Sequence, residues 1–131
     1  MVKQPKVYLW DWSEIKDPGA RLENFVASHL LKAVHFWTDY GLGEYELYFL
    51  RDKEQREVDF LVTKNKKPWF LVEVKSSEKA ALSKALYYFQ QQTGAAHAFQ
   101  VVFDLPGIHK NCFSFTTPIR VPVQTLLSQL V

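Results

Sequence analysis

Two apolar, strand-like runs in this chain carry charges where a folded protein does not tolerate isolated ones. Asp59 interrupts Glu57-Val58-Asp59-Phe60-Leu61-Val62, and Glu73 and Lys75 interrupt Trp69-Phe70-Leu71-Val72-Glu73-Val74-Lys75. An ionised group buried alone is costly, so charges in a half-buried strand need a partner, a metal ion or a cleft. Strand side chains alternate between faces, which points Glu73 and Lys75 the same way.

The polar connection between the runs, Thr63 to Pro68, is short and centred near Lys66. An antiparallel hairpin about that centre sets Asp59 opposite Glu73. Direct cross-strand neighbours stand only ~4.5–5.5 Å apart at Cβ. Two carboxylates there repel, and a divalent cation between them removes the conflict. Oxygen ligands suit Mg²⁺ or Mn²⁺. The Val74 carbonyl, between the acid and the lysine, is a further candidate ligand. Lys75 is placed to orient a water or to stabilise charge on a phosphate. Metal-activated water attacking a phosphodiester is the chemistry such a set performs. The bland alternative is an exposed Glu73–Lys75 ion pair worth ~0–1 kcal/mol, with Asp59 in solvent.

The rest of the chain limits what surrounds this hairpin. A length of 131 residues and a hydrophobic content of 47% suit a single domain, residues 1–131, with a real core. The net charge of +2 neither demands nor excludes nucleic acid. One cysteine, Cys112, rules out an internal disulfide and reads as a structural thiol. No apolar run reaches the roughly 18 residues that span a bilayer, and the N-terminus has no apolar signal core. A cytoplasmic protein with no membrane partner is the expectation.

Helical spacing runs from Ala20 to Trp37 through Leu22, Phe25, Val26, Leu30 and Ala33, with Glu23 at the edge of the buried stripe. Val7 to Trp12, Glu46 to Leu50 and Ala98 to Phe103 read as further strands. Ser77 is placed to cap a second helix reaching Gln92, which Thr93-Gly94 stops. Val123 to Leu130 closes the chain as helix or strand. The order helix, three strands, helix, strand predicts an α/β fold. Its mixed sheet would have about four or five strands, antiparallel at first and then joined in parallel through a helical crossover.

The pairing of Glu57-Val58-Asp59-Phe60 with Val72-Glu73-Val74-Lys75-Ser76 resembles the acid-x-lysine signature of the PD-(D/E)xK nuclease superfamily, whose fold is restriction-endonuclease-like. Val58 stands where the name-giving proline would be. Arg21 to Val26, Tyr48 to Asp52, Glu57 to Val62 and Glu73 to Lys75 together are more narrowly similar to a domain of unknown function. That domain usually forms the C-terminal part of prokaryotic AAA-type ATPases. The resemblance runs from about Lys6 to about Asp104. It implies a restriction-endonuclease-like core with Asp59 and Glu73 as metal ligands, Lys75 as catalytic lysine and Glu23 as a helix-borne acid. In this superfamily a polar residue of the second helix can also approach the site.

The implied function is metal-dependent hydrolysis of nucleic-acid phosphodiesters, with Mg²⁺ or Mn²⁺ as cofactor and DNA as the expected substrate. An AAA-type ATPase domain and a second copy of the chain are the expected protein partners. The alternative is a catalytically inactive module that binds nucleic acid or protein for such an ATPase, and a third reading is an oligomerisation domain. Arg51, Arg56, Lys64, Lys66 and Lys67 read as solvated turn charges or phosphate contacts. His29 is an outside candidate for the cleft, Gln90 to Gln92 for a groove, and Trp10, Trp12 and Trp37 for packing.

Overall fold

Apolar residues at helical spacing give the first long element. Val26, Ala27, Leu30, Ala33, Val34 and Trp37 form one buried stripe, and the chain coils as α1 (Pro18–Asp39) to bury it. Apolar strand-like runs then give β2 (Tyr45–Arg51), β3 (Glu57–Lys64) and β4 (Lys67–Lys75), the last two buried on both faces. A second helix, α2 (Lys84–Thr93), leads to β5 (His97–Val102). These elements belong to a computed structural model that describes residues 2–5, 18–51, 57–76 and 81–130.

The strands form one mixed sheet in sequential order, antiparallel from β2 to β4 and parallel from β4 through β5 to β6 (Ile119–Pro122). The α/β class, the hairpins and the helical crossover into a parallel strand are as the sequence predicts. Two four-residue strands lay outside that expectation and bring the sheet to six. They are β1 (Val2–Pro5), antiparallel to β2, and β6. Val7 to Trp12, expected as a strand, lies outside the described residues.

Two helix boundaries are corrected. Ser77 lies outside the described residues, and α2 begins later, capped by Ser83, whose Oγ accepts from Leu86 N at 3.1 Å. Gly94 ends it in the left-handed conformation that a residue with Cβ resists. The closing segment is β6 followed by the short α3 (Val123–Leu127), with Pro122 at the junction. Proline has no N–H to give a ladder, which suits the end of a strand.

The sheet separates two cores. On one side Phe60, Val62, Phe70, Val72, Phe99, Val101 and Val121 pack with α1 and α3. An aromatic cluster joins them. Trp69 lies 5.5 Å from Trp37, 5.7 Å from Tyr45 and 5.3 Å from Phe113 between ring centroids. Trp37 is a packing residue as expected, and its Nε1 donates to Leu130 O at 3.1 Å. On the other side Leu50, Val58, Leu61, Leu71 and Ala98 pack with Leu86 and Phe89 of α2.

Candidate functional site

The β3–β4 register decides which side chains meet. The turn is Asn65-Lys66, both at positive φ (52° and 68°), and it pairs Lys64 with Lys67 and Thr63 with Pro68. Unbroken, that register would set Asp59 opposite Val72. The ladder instead shifts by one residue at Trp69, so that Val62 meets Phe70 and Phe60 meets Val72. The bulge restores the register expected from the sequence as far as Phe60 and Val72, the last pair of the ladder. Pro68, which cannot donate to a ladder, sits next to this irregularity.

A second bulge lies in β3. Leu50 pairs with Val58 and Tyr48 with Leu61, so β3 spends one more residue than β2 between these points. This takes Asp59 out of simple alternation. The β3–β4 pairing runs only as far as Phe60 and Val72. Beyond it the Asp59 carboxylate fills the gap, and its Oδ2 accepts from Val74 N at 2.7 Å. The Lys75 carbonyl accepts from Phe103 N at 3.1 Å, so Lys75 bonds toward β5 and its neighbour Val74 faces β3. A residue's N–H and C=O point to the same side of a strand. The Val74 carbonyl is therefore directed to the same gap as Asp59.

Glu73 is buried on the α2 face of the sheet, in line with Leu71. Its Oε1 accepts from Gln100 Nε2 at 3.0 Å. Among the described residues its other oxygen takes no hydrogen bond. Lys75 follows on the same face, half-buried at the end of β4. Glu73 and Lys75 form no ion pair among the described residues, which removes the bland reading of that pair. Glu23, by contrast, is carried on α1, whose stripe packs on the opposite face. No group of three or more His, Cys, Asp or Glu side chains is placed to hold a metal among the described residues. Glu23 thus does not close a three-acid set with Asp59 and Glu73.

The polar neighbour of Glu73 comes from β5, not from the second helix. Gln100 is fully buried and lies opposite Glu73 on one side and Arg120 of β6 on the other. Sequence reasoning passed over both residues. The signal was present, because Gln100 breaks an apolar strand as Asp59 and Glu73 do. Gln90 instead braces the end of α2, donating to Ala95 O and Thr116 O at 3.3 and 2.7 Å.

The other candidates fall away from this place. Lys64, Lys66 and Lys67 are exposed at the turn, five residues of strand from Asp59 or about 17 Å at the usual rise. Arg56 lies outside the described residues. His29 lines a groove of about 570 Å³ with Lys32, Phe103 and Leu127, on the α1 side of the sheet. Burial pushes the Cys112 thiol above its ordinary range, as befits a structural cysteine.

With this geometry in hand, the chain can be set beside known proteins. The model of a domain of unknown function, DUF4143, matches residues 18–115, from the start of α1 through the whole site hairpin, α2 and β5. The chain belongs to the DUF4143 family. No curated protein and no solved structure matches it. The family match covers Glu23, Asp59, Glu73, Val74, Lys75 and Gln100, and leaves Arg120 outside.

Proposed function

We propose that this DUF4143 chain is a metal-dependent nuclease-like domain of the PD-(D/E)xK type, hydrolysing phosphodiester bonds of nucleic acid, DNA above all. The observation that carries the reading is that Asp59 Oδ2 accepts from Val74 N, the residue next to the buried Glu73, just beyond the last pair of the β3–β4 ladder. The donors there fit Mg²⁺ or Mn²⁺. They are oxygens only, and Mg²⁺ is usually held by one or two carboxylates while it keeps several waters. Asp59, Glu73 and the Val74 carbonyl would hold it. When bound, such an ion lowers the pKa of a coordinated water and offsets charge on the phosphate.

The chain's own residues do the rest. The Val74 N–H fixes one oxygen of Asp59, and Gln100 fixes one oxygen of Glu73. Lys75 stands one pleat beyond, where its ammonium can hold a water or a phosphate oxygen. A site at the end of β4 leaves the nucleic acid to approach from the sheet's rim. An AAA-type ATPase domain is the protein partner this reading expects.

The absence of a three-acid group among the described residues favours a second reading, a silent descendant that binds nucleic acid or a protein for an ATPase. Calorimetry with Mn²⁺ and cleavage assays on DNA and RNA separate the two. The nuclease reading expects metal-dependent cleavage that falls at least about a hundredfold in Glu73→Gln and in Lys75→Met. Undiminished cleavage by Glu73→Gln sinks it. Failure of the parent to bind either ion at millimolar levels leaves the binding module.

A further inference from the structure

We propose that Gln100 and Arg120 act as a positioning relay for the Glu73 carboxylate, a role that rests on the metal-site reading above. Every hydrogen-bonding group of the Gln100 side chain has a partner. Oε1 accepts from Arg120 Nε at 2.9 Å, while Nε2 donates to Glu73 Oε1 at 3.0 Å and to Ala81 O at 2.9 Å. A guanidinium only donates, so it must face the amide oxygen. Arg120 on one side, with the acceptors Glu73 Oε1 and Ala81 O on the other, fixes which end of the amide meets Glu73. Without Arg120 the amide oxygen loses its partner and the amide loses the anchor that holds it square to the carboxylate.

The three residues are in register across three adjacent strands, with Glu73 paired to Gln100 and Gln100 to Arg120. The relay thus runs from β4 through β5 to the edge strand β6. It occupies Glu73 Oε1 and leaves Oε2 as the oxygen offered to an ion. Groups that orient a metal ligand in this way commonly change metal affinity 10- to 100-fold when removed, about the size expected here. The bond to Ala81 O also ties the residue three before the start of α2 to the same amide.

Two measurements test the relay, one of which needs no metal. In ¹⁵N NMR spectra the side-chain amide protons of Gln100 should exchange slowly, unlike those of the exposed Gln91 and Gln92. Glu73→Ala should speed the exchange of one of the two alone. Exchange as fast as in Gln91, or no response to Glu73→Ala, overturns the relay. In calorimetry with Mn²⁺, Gln100→Leu and Arg120→Ala should each weaken binding roughly 10- to 100-fold, and Arg120→Ala should add nothing in the Gln100→Leu background. Val62→Ala, a cavity on the other face of the sheet, should bind Mn²⁺ as the parent does. If Gln100→Leu does not fold, Arg120→Ala alone decides. Parent-like Mn²⁺ affinity in Arg120→Ala overturns the positioning role while the metal site stands. A parent that binds no Mn²⁺ but shows the expected exchange pattern defeats the metal-site reading and leaves the relay as a structural bond network.

Discussion

Asp59 and Glu73 are both acids in a strand, yet their environments make opposite demands. Asp59 supplies the acceptor for a strand N–H that has lost its ladder partner. Asp59→Ala leaves Val74 N unsatisfied and should cost about 1–3 kcal/mol of stability. Among the described residues the buried Glu73 has one hydrogen bond and no cation paired to it. Glu73→Gln can keep the bond from Gln100 and removes a buried charge, so it should raise stability without metal by about 1 kcal/mol. Urea denaturation of both variants checks this opposition of sign; destabilisation by Glu73→Gln would argue for a structural role. Tyr48 offers a pH handle. Its hydroxyl donates to Glu46, and that bond, with burial and the Glu46 charge, pushes its pKa from 10.0 up to about 12. The folded state therefore holds the proton more tightly than the unfolded chain. The stability so conferred is complete below pH 10 and is lost as pH rises through 12. Urea midpoints of the parent and Tyr48→Phe should differ at pH 9 and converge near pH 12.

At the scale of elements, the site depends on two irregularities as much as on two strands. The Asn65-Lys66 turn has both residues at positive φ, the pattern that favours Asn-Gly in tight hairpins. Asn65 is well suited, since its side chain also accepts from Glu44 N at 2.9 Å. Lys66 carries a Cβ at φ 68° and gains nothing visible from it. Lys66→Gly should stabilise the protein by about 1 kcal/mol and leave Mn²⁺ binding unchanged, as differential scanning calorimetry and titration can show. The bulge at Trp69 is different in kind. It supplies the single residue that sets Phe60 opposite Val72 rather than Leu71, and the aromatic cluster around Trp69 holds it. The hairpin centre inferred from sequence gives the register seen at Phe60 and Val72, because turn and bulge together displace the ladder by one.

Across the whole molecule, the sheet is a wall between two cores, and the candidate site opens at one end of it. Phe99 is fully buried, with ring centroids 5.7 Å from Phe70 and 5.3 Å from Phe113. Phe99→Ala should cost about 3–5 kcal/mol, and the loss should be read in thermal unfolding as one cooperative transition. The opposite face carries the relay, so the residue before Gln100 stabilises the fold and Gln100 itself serves the site. Among the described residues no helix is long and apolar enough to cross a membrane.

Local chemistry determined much of this protein. Helical spacing placed α1, strand-like apolar runs placed β2, β3 and β4, and the charges within those runs picked out Asp59, Glu73 and Lys75. Those signals are legible because period and burial cost act within a few residues of sequence. Only the tertiary structure decided the rest. It showed which face α1 covers, and so kept Glu23 out of a three-acid set. It bent the ladder twice, so that a carboxylate rather than a carbonyl meets Val74 N. It also brought Gln100 and Arg120 into line with Glu73 from positions 27 and 47 residues further along the chain. The crossover itself is legible, but which residues face one another across the parallel strands has no local signature, because that register is set by the packing of the whole sheet.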